Sequence, residues 1–211
     1  MEWRMLHEQA DGHLQRGNLE QAELFTREAL REAERSLGES HRATELSLLR
    51  TAYVLRLRGK ADEALPLAER AVKISSRMHG AADPYTAVAL QNLAEVQSAR
   101  KNYSAAEAVH RKALAIFQKV HGEKHLNTAI TLHNIGAMLY AQDKSKEAEQ
   151  FLRRALSVKE QVLKPGHLSL AHTLDQLAVV LAAQGRDIEA AKQKRRADTI
   201  RLKIQAAKPN A

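Results

Sequence analysis

Apolar residues recur along this chain at helical rather than strand spacing. Ile130, Leu132, Ile135, Met138 and Leu139 follow a helical period, Gln142, Asp143, Lys144 and Ser145 interrupt it, and Ala148, Phe151, Leu152, Ala155 and Leu156 resume it. That pattern predicts two amphipathic helices joined by a short polar turn. The same unit returns at a shift of 42 residues, which brings Leu6, Leu48, Leu90, Leu132 and Leu174 into register. Ala22, Ala64, Ala106, Ala148 and Ala190 form a second column, and Ala29, Ala71, Ala113, Ala155 and Ala197 a third. A fourth holds only small residues: Ala10, Ala52, Ala94, Gly136 and Ala178. The register does not slip across the copies, as an internal repeat requires. Residues no larger than alanine let two helix backbones approach closely, so these columns are predicted to be helix contacts.

Turn residues punctuate the pattern where it predicts breaks. Gly17, Gly59 and Gly185 fall inside repeats and Gly38, Gly80 and Gly122 between them, whereas Gly12 has no such role. Asp83-Pro84 reads as a helix start, and Ser104 with Glu107 as a capping box. The columns resemble the tetratricopeptide repeat. The 42-residue length and the stretches Leu90-Gln-Asn-Leu-Ala94, Glu63-Ala-Leu-Pro-Leu67 and Leu37-Gly-Glu-Ser-His41 are similar to the kinesin light chain variety. The chain departs from the pattern at Gln9 and Thr51, where Leu93, Ile135 and Leu177 stand in other repeats, and at Lys101 and Asp143, which replace turn glycines. The first two repeats are therefore expected to pack less regularly.

The fold implied is all-α, an α-solenoid in the form of a right-handed superhelix of five helix-turn-helix repeats. The expected repeats are residues 1–42, 43–84, 85–126, 127–168 and 169–211, in one continuous domain that ends in a basic capping helix and a short tail. Composition agrees, with only four prolines, nine glycines and 4% aromatic residues in a chain rich in helix formers. The chain has no cysteine, which excludes disulfides, thiol catalysis and thiolate metal sites. Met1-Glu2-Trp3-Arg4 runs straight into helical pattern rather than a signal sequence, and no apolar run is long enough for a membrane span, so the cytoplasm is expected.

The signatures of catalysis are missing. The chain has no GxSxG elbow, no glycine-rich phosphate loop and no HExxH helix, and the expectation is a protein that is not an enzyme and needs no cofactor. Of the ten histidines, His121 and His125 are four apart, yet Gly122 puts them in a turn. His41, His125 and His167 recur at one repeat position, with Asp83 in the equivalent place. Such a column suits hydrogen bonding to helix starts better than metal binding, for which three or four convergent ligands are needed.

A net charge of +8 favours acidic partners. Lys192, Lys194, Arg195, Arg196, Arg201 and Lys203 crowd the last helix. Without stacking aromatics they predict a polar end cap more than a nucleic-acid surface. The family resemblance implies capture of an extended peptide or a helix of a partner protein in a concave groove lined by the first helix of each repeat. By register, the inward candidates are Arg50, Tyr53, Arg56, Gln91, Asn92, Glu95, His133, Asn134, Tyr140, Asp175 and Gln176. Asn92 and Asn134 match the family's groove asparagine, and Arg50 and Arg56 are expected to pair with carboxylates of a partner peptide. The alternatives are a peptide-sensing regulatory module, and an acidic-polymer or RNA binder acting through the basic C-terminal helix.

Overall fold

The computed structural model describes residues 2–206. Ten helices follow one another among them: α1 (Glu2–Gln15), α2 (Leu19–Leu37), α3 (Arg42–Leu57), α4 (Ala61–His79), α5 (Pro84–Ala99), α6 (Tyr103–His121), α7 (Leu126–Tyr140), α8 (Ser145–Val162), α9 (Leu168–Ala183) and α10 (Asp187–Ala206). No strand occurs among the described residues. Helices of odd number are the first members of the predicted pairs, and those of even number the second. The chain divides into two compact units, Met1–Ile116 and Phe117–Ala211.

In the first unit the small-residue columns lie where helices meet. Ala10, Ala22, Ala29, Ala52, Ala64, Ala71 and Ala94 are all fully buried. Ala52, Leu55, Ala64, Ala68 and Val96 form one apolar cluster, and Leu30, Leu48, Ala71 and Ile74 another. Thr51 interrupts the apolar column without leaving an unsatisfied group, because its buried hydroxyl bonds the carbonyls of Ser47 at 2.8 Å and Thr26 at 3.1 Å. Gln9, the other departure, is exposed.

The helix starts repeat one device. The backbone N–H of Ala43 donates to His41 Nδ1 at 3.0 Å, and that of Tyr85 to Asp83 Oδ1 at 2.8 Å. In the second unit Asn127 donates to His125 Nδ1 and Ser169 to His167 Nδ1, both at 3.1 Å. The histidine column thus caps helices, as its register predicts. Thr44, Thr86 and Thr128 add a second tie, their hydroxyls donating to the carbonyls of Gly38, Gly80 and Gly122 at 2.7, 2.8 and 2.9 Å. Ser104 is the second residue of α6, which begins at Tyr103, rather than the N-cap residue that the sequence pattern predicts, and Glu107 accepts from Arg111 at 2.7 Å.

The tight turns are equivalent whatever residue they carry. Lys101 and Asp143 take φ of 63° and 62°, beside 75°, 76° and 74° for Gly17, Gly59 and Gly185. This left-handed conformation suits glycine and costs a residue with a Cβ roughly 1 kcal/mol.

In the second unit Leu132, Ile135, Leu139, Ala148, Leu152, Ala155, Leu177 and Leu181 are fully buried. Gly136 takes the small position of α7 because nothing larger fits: a Cβ there would sit 2.8 Å from Leu152 Cγ and 3.2 Å from the Ala148 carbonyl oxygen. Leu152, Leu156 and Lys159 are the buried residues of α8 in register with Lys194, Asp198 and Arg201 of α10. In α8 this face meets α9, with Lys159 Nζ donating to Thr173 Oγ1 at 2.8 Å. In α10 the same positions close into an ionic cluster, with Lys194 pairing with Asp175 at 3.0 Å and Asp198 at 3.4 Å, and Arg201 pairing with both carboxylates. Half of the basic residues singled out on the last helix are thereby neutralised within the chain, because Arg196 also pairs, with Glu160 at 2.5 Å.

Candidate peptide-binding face

All the groove candidates lie on first helices: Arg50, Tyr53 and Arg56 on α3, Gln91, Asn92 and Glu95 on α5, His133, Asn134 and Tyr140 on α7, and Asp175 and Gln176 on α9. The first six belong to the first unit and the other five to the second.

In the first unit a hollow of about 280 Å³ opens between α1, α2, α3 and α5. Leu14, Leu49 and Val54 give it apolar walls, Thr26 lies beside them, and Asp11, Arg50, Tyr53 and Asn92 complete the lining. Tyr53 is 42% exposed, an aromatic surface presented to solvent rather than used in the core. The Asn92 side-chain amide donates to the Val88 carbonyl at 3.2 Å, a bond that uses its nitrogen and not its oxygen.

Neither arginine is vacant. Arg50 pairs with Asp11 at 2.7 Å, and Arg56 pairs with Glu95 at 2.8 Å while lying over the Tyr53 ring at 5.3 Å. The sequence leads one to expect both guanidinium groups to meet a partner's carboxylates. The structure gives each a carboxylate of its own, so an acidic ligand has to compete with Asp11 and Glu95. Beneath this surface His7 is buried and bonded to Ser47, Nε2 to Oγ at 2.8 Å. Burial, with Arg50 nearby, lowers its pKa to about 4.

In the second unit His133, Asn134, Tyr140 and Gln176 are half-buried. Burial, then the charges of Lys159 and His172, lower the His133 pKa to about 4, and its Nδ1 has no hydrogen-bond partner among the described residues. Lys159 is 3% exposed and, among the described residues, bonded to neutral oxygens alone, those of Thr173 and Ser169, and burial brings its pKa down to about 8. Asp175 is committed to α10, where the hydrogen bond from Arg201, helped by Lys194, holds its carboxyl below the usual range. It ties α9 to α10 and is not vacant for a ligand.

Asp11, Leu14 and Leu49 line the same hollow, although the family pattern does not single them out. The signal that finds them is the repeat itself: Asp11 is in register with Tyr53 and Glu95, Leu14 with Arg56 and Tyr140, and Leu49 with Gln91, His133 and Asp175. His121 and His125 stack with ring centroids 4.2 Å apart, but His125 Nδ1 is occupied by the helix cap. No group of three or more histidine or carboxylate side chains able to hold a metal occurs among the described residues. No described helix is long and apolar enough to cross a membrane.

Paired helices in close contact through small residues, repeating at a constant period, define an α-solenoid of helical hairpins. The tetratricopeptide repeat model matches residues 45–119 and 85–161, more than half the chain, and the chain belongs to that family. Its repeats resemble those of kinesin light chains. BtubC (BKLC) from P. vanneervenii is 26% identical with a TM-score of 0.78, over 96% of this chain and 80% of that one. The nearly identical TPR-like repeats of a kinesin light chain type from Podosopora anserina are 22% identical with a TM-score of 0.80, over 97% and 96% of the two chains. A Rap protein in complex with competence and sporulation factor is 15% identical with a TM-score of 0.76, over 94% of this chain and 54% of that one. Likeness to the latter two is one of fold. No curated protein sequence matches.

Proposed function

We propose that this chain is a cytoplasmic protein-interaction scaffold whose first-helix surface takes an extended peptide or a helix of a partner protein. Binding, not catalysis, is the role of these residues. The observation that carries the proposal is the hollow of about 280 Å³ in the first unit, with apolar walls of Leu14, Leu49 and Val54 and a rim of Arg50, Tyr53 and Asn92. A mainly apolar recess with a few polar groups at its mouth is the usual form of a ligand site. It suits an apolar anchor side chain packed against Tyr53, with the Asn92 oxygen accepting from the partner's backbone. The Rap complex with competence and sporulation factor supports the idea that this fold can hold a ligand.

Acidic residues beside the anchor are the finer part of the proposal. Arg50 and Arg56 would exchange Asp11 and Glu95 for the partner's carboxylates, so their contribution is to specificity more than to affinity. Peptides selected by display on the full chain test both parts. The expected consensus is one apolar residue flanked by Asp or Glu, bound more tightly by Asp11→Asn because Arg50 is released. Selection of basic consensus peptides, or tighter binding of acidic ones by Arg50→Glu, would refute the acidic part while leaving the scaffold role to stand on Tyr53 and Asn92.

A further inference from the structure

The second unit presents another surface, on the outer side of its last helix. A hollow of about 890 Å³ runs along α10, lined by Asp187, Ile188, Ala191, Lys192, Arg195 and Thr199 among others. A second, of about 420 Å³, lies between α10 and the turn after α8, where Leu163, Pro165, Leu170 and Ile200 contribute. The two share Arg196 and Thr199 and so form one continuous depression.

Two large aliphatic side chains stand open on this helix, Ile188 at 89% and Leu202 at 65% exposure. A single exposed aliphatic needs no explanation. Here, however, the repeat supplies a comparison. Glu20, Asp62, Ser104 and Lys146 are in register with Ile188, and Glu34, Ser76, Gln118 and Glu160 with Leu202. Every other repeat keeps these two positions polar. At about 100° per residue, Ile188, Lys192, Arg195, Thr199, Leu202 and Lys203 fall on one face of α10, opposite the buried Ala190 and Ala197.

The charged side chains on that face are cations, and they are largely unspent, while Asp187, Glu189 and Glu160 also line the hollows beside them. Lys194, Arg196 and Arg201 are paired within the chain, whereas Lys192, Arg195 and Lys203 have no carboxylate partner among the described residues. Glu189 is held by Arg186 at 2.6 Å, and Asp187 adds one negative charge at the helix start.

We propose that the outer face of α10 docks an acidic amphipathic helix of a partner protein. Ile188 and Leu202 are fourteen residues apart, about 21 Å along the axis, which is the length of four turns of a partner helix. Leucines at helical spacing would fill the joined hollows, and carboxylates on the flanks would meet Lys192, Arg195 and Lys203. Glu189 and Glu160 are neutralised by Arg186 and Arg196, so Asp187 is the acidic residue that sets the polarity, and the partner's carboxylates must lie toward Lys203. Nucleic acid fits less well, since no aromatic lines either hollow to stack on a base. An anionic membrane fits less well too, since two aliphatics so far apart offer little area for insertion. This surface is separate from the first-helix face and does not depend on its function.

The test uses the full chain and an acetylated peptide of about 18 residues made of Glu and Leu, with leucines at helical spacing, and its affinity is measured by calorimetry. A peptide of the same composition with scattered leucines, a uridine oligonucleotide and phosphatidylserine-containing vesicles serve as competing probes. The patterned peptide is expected to bind about tenfold more tightly than the scattered one. Lys192→Glu with Arg195→Glu and Lys203→Glu should weaken it at least about tenfold, and Ile188→Ser with Leu202→Ser about fivefold. All five side chains are exposed, so circular dichroism should show both variants folded. Equal affinity for the two peptides, or no loss in the Ile188→Ser, Leu202→Ser variant, would overturn the proposal. So would tighter binding of the RNA or the vesicles, or loss of binding through Tyr53→Ala, which lies on the other surface.

Discussion

Gly136 and Gly12 offer the same substitution in two environments. Both lie inside helices, α7 and α1, where alanine is worth about 0.5 to 1 kcal/mol more than glycine in helix stability. At Gly12 a new Cβ meets nothing closer than the end of the Arg16 side chain at 3.6 Å, so Gly12→Ala should stabilise by roughly that amount. At Gly136 the methyl would lie 2.8 Å from Leu152 Cγ and 3.1 Å from its Cδ2. Leu152 is fully buried, and the Ala148 carbonyl oxygen at 3.2 Å belongs to a helix backbone, so neither can retreat cheaply. Overpacking of this kind costs about 1 to 3 kcal/mol, which outweighs the helix gain and leaves a net loss of about 1 to 2. Leu152→Ala alone should cost about 2 to 5 kcal/mol through the cavity it leaves. In the Gly136→Ala background it should cost at least about 1 kcal/mol less, because the methyl then occupies vacated space. Urea unfolding followed by circular dichroism measures all four proteins. If Gly136→Ala stabilised the chain as much as Gly12→Ala, or if the double variant were simply additive, the close contact of α7 with α8 would be wrong.

Other residues give predictions of similar kind. Lys101→Gly should stabilise by about 0.5 to 1 kcal/mol by relieving a left-handed φ, while Gly59→Ala, at the same turn position, should destabilise by about 1 to 2; equal signs in thermal melts would contradict the turn geometry. His41→Ala should cost about 1 kcal/mol of stability and His41→Asp almost none, since only the acceptor for the Ala43 amide matters. His7, His110 and His133 have native pKa values of about 4, below the ordinary imidazole value, so the unfolded chain binds more protons between about pH 4 and 6.5. Urea midpoints should therefore fall steadily as pH is lowered through that window, and a flat profile would contradict the burial of these rings. Lys159, brought down to about 8, acts at the alkaline end, where stability should rise from about pH 8 to 10.5, and Lys159→Met should abolish that rise.

The fold was legible because its determinants are periodic. The alanine and leucine columns state the helix contacts, and the His41, Asp83, His125 and His167 column states the helix starts. Polar substitutions were harder to judge, as Thr51 shows: its side chain looks like a defect in an apolar column until the acceptors at Ser47 and Thr26 are seen. Ser104 misled for a local reason, since its spacing to Glu107 imitates a capping box one residue inside the helix. The candidate site was legible only as a register. Which helix carries each candidate follows from the period, but whether Arg50 and Arg56 are vacant depends on Asp11 and Glu95, which sit in neighbouring repeats 39 residues away from their partners. Lys194 and Arg201 are likewise spent on Asp175, a pairing that no local pattern announces.

Peptide binding at the first-helix surface around Tyr53 and Asn92 is tested by the calorimetric affinity of one display-selected peptide for the wild type and for Tyr53→Ala with Asn92→Ala, under identical buffer conditions. Loss of the anchor surface and of one hydrogen-bond acceptor is expected to weaken binding by about 2 to 3 kcal/mol, roughly 30-fold to 150-fold, with the melting curve little changed. An affinity and heat of binding equal to those of the wild type would contradict the claim and move the site away from this surface.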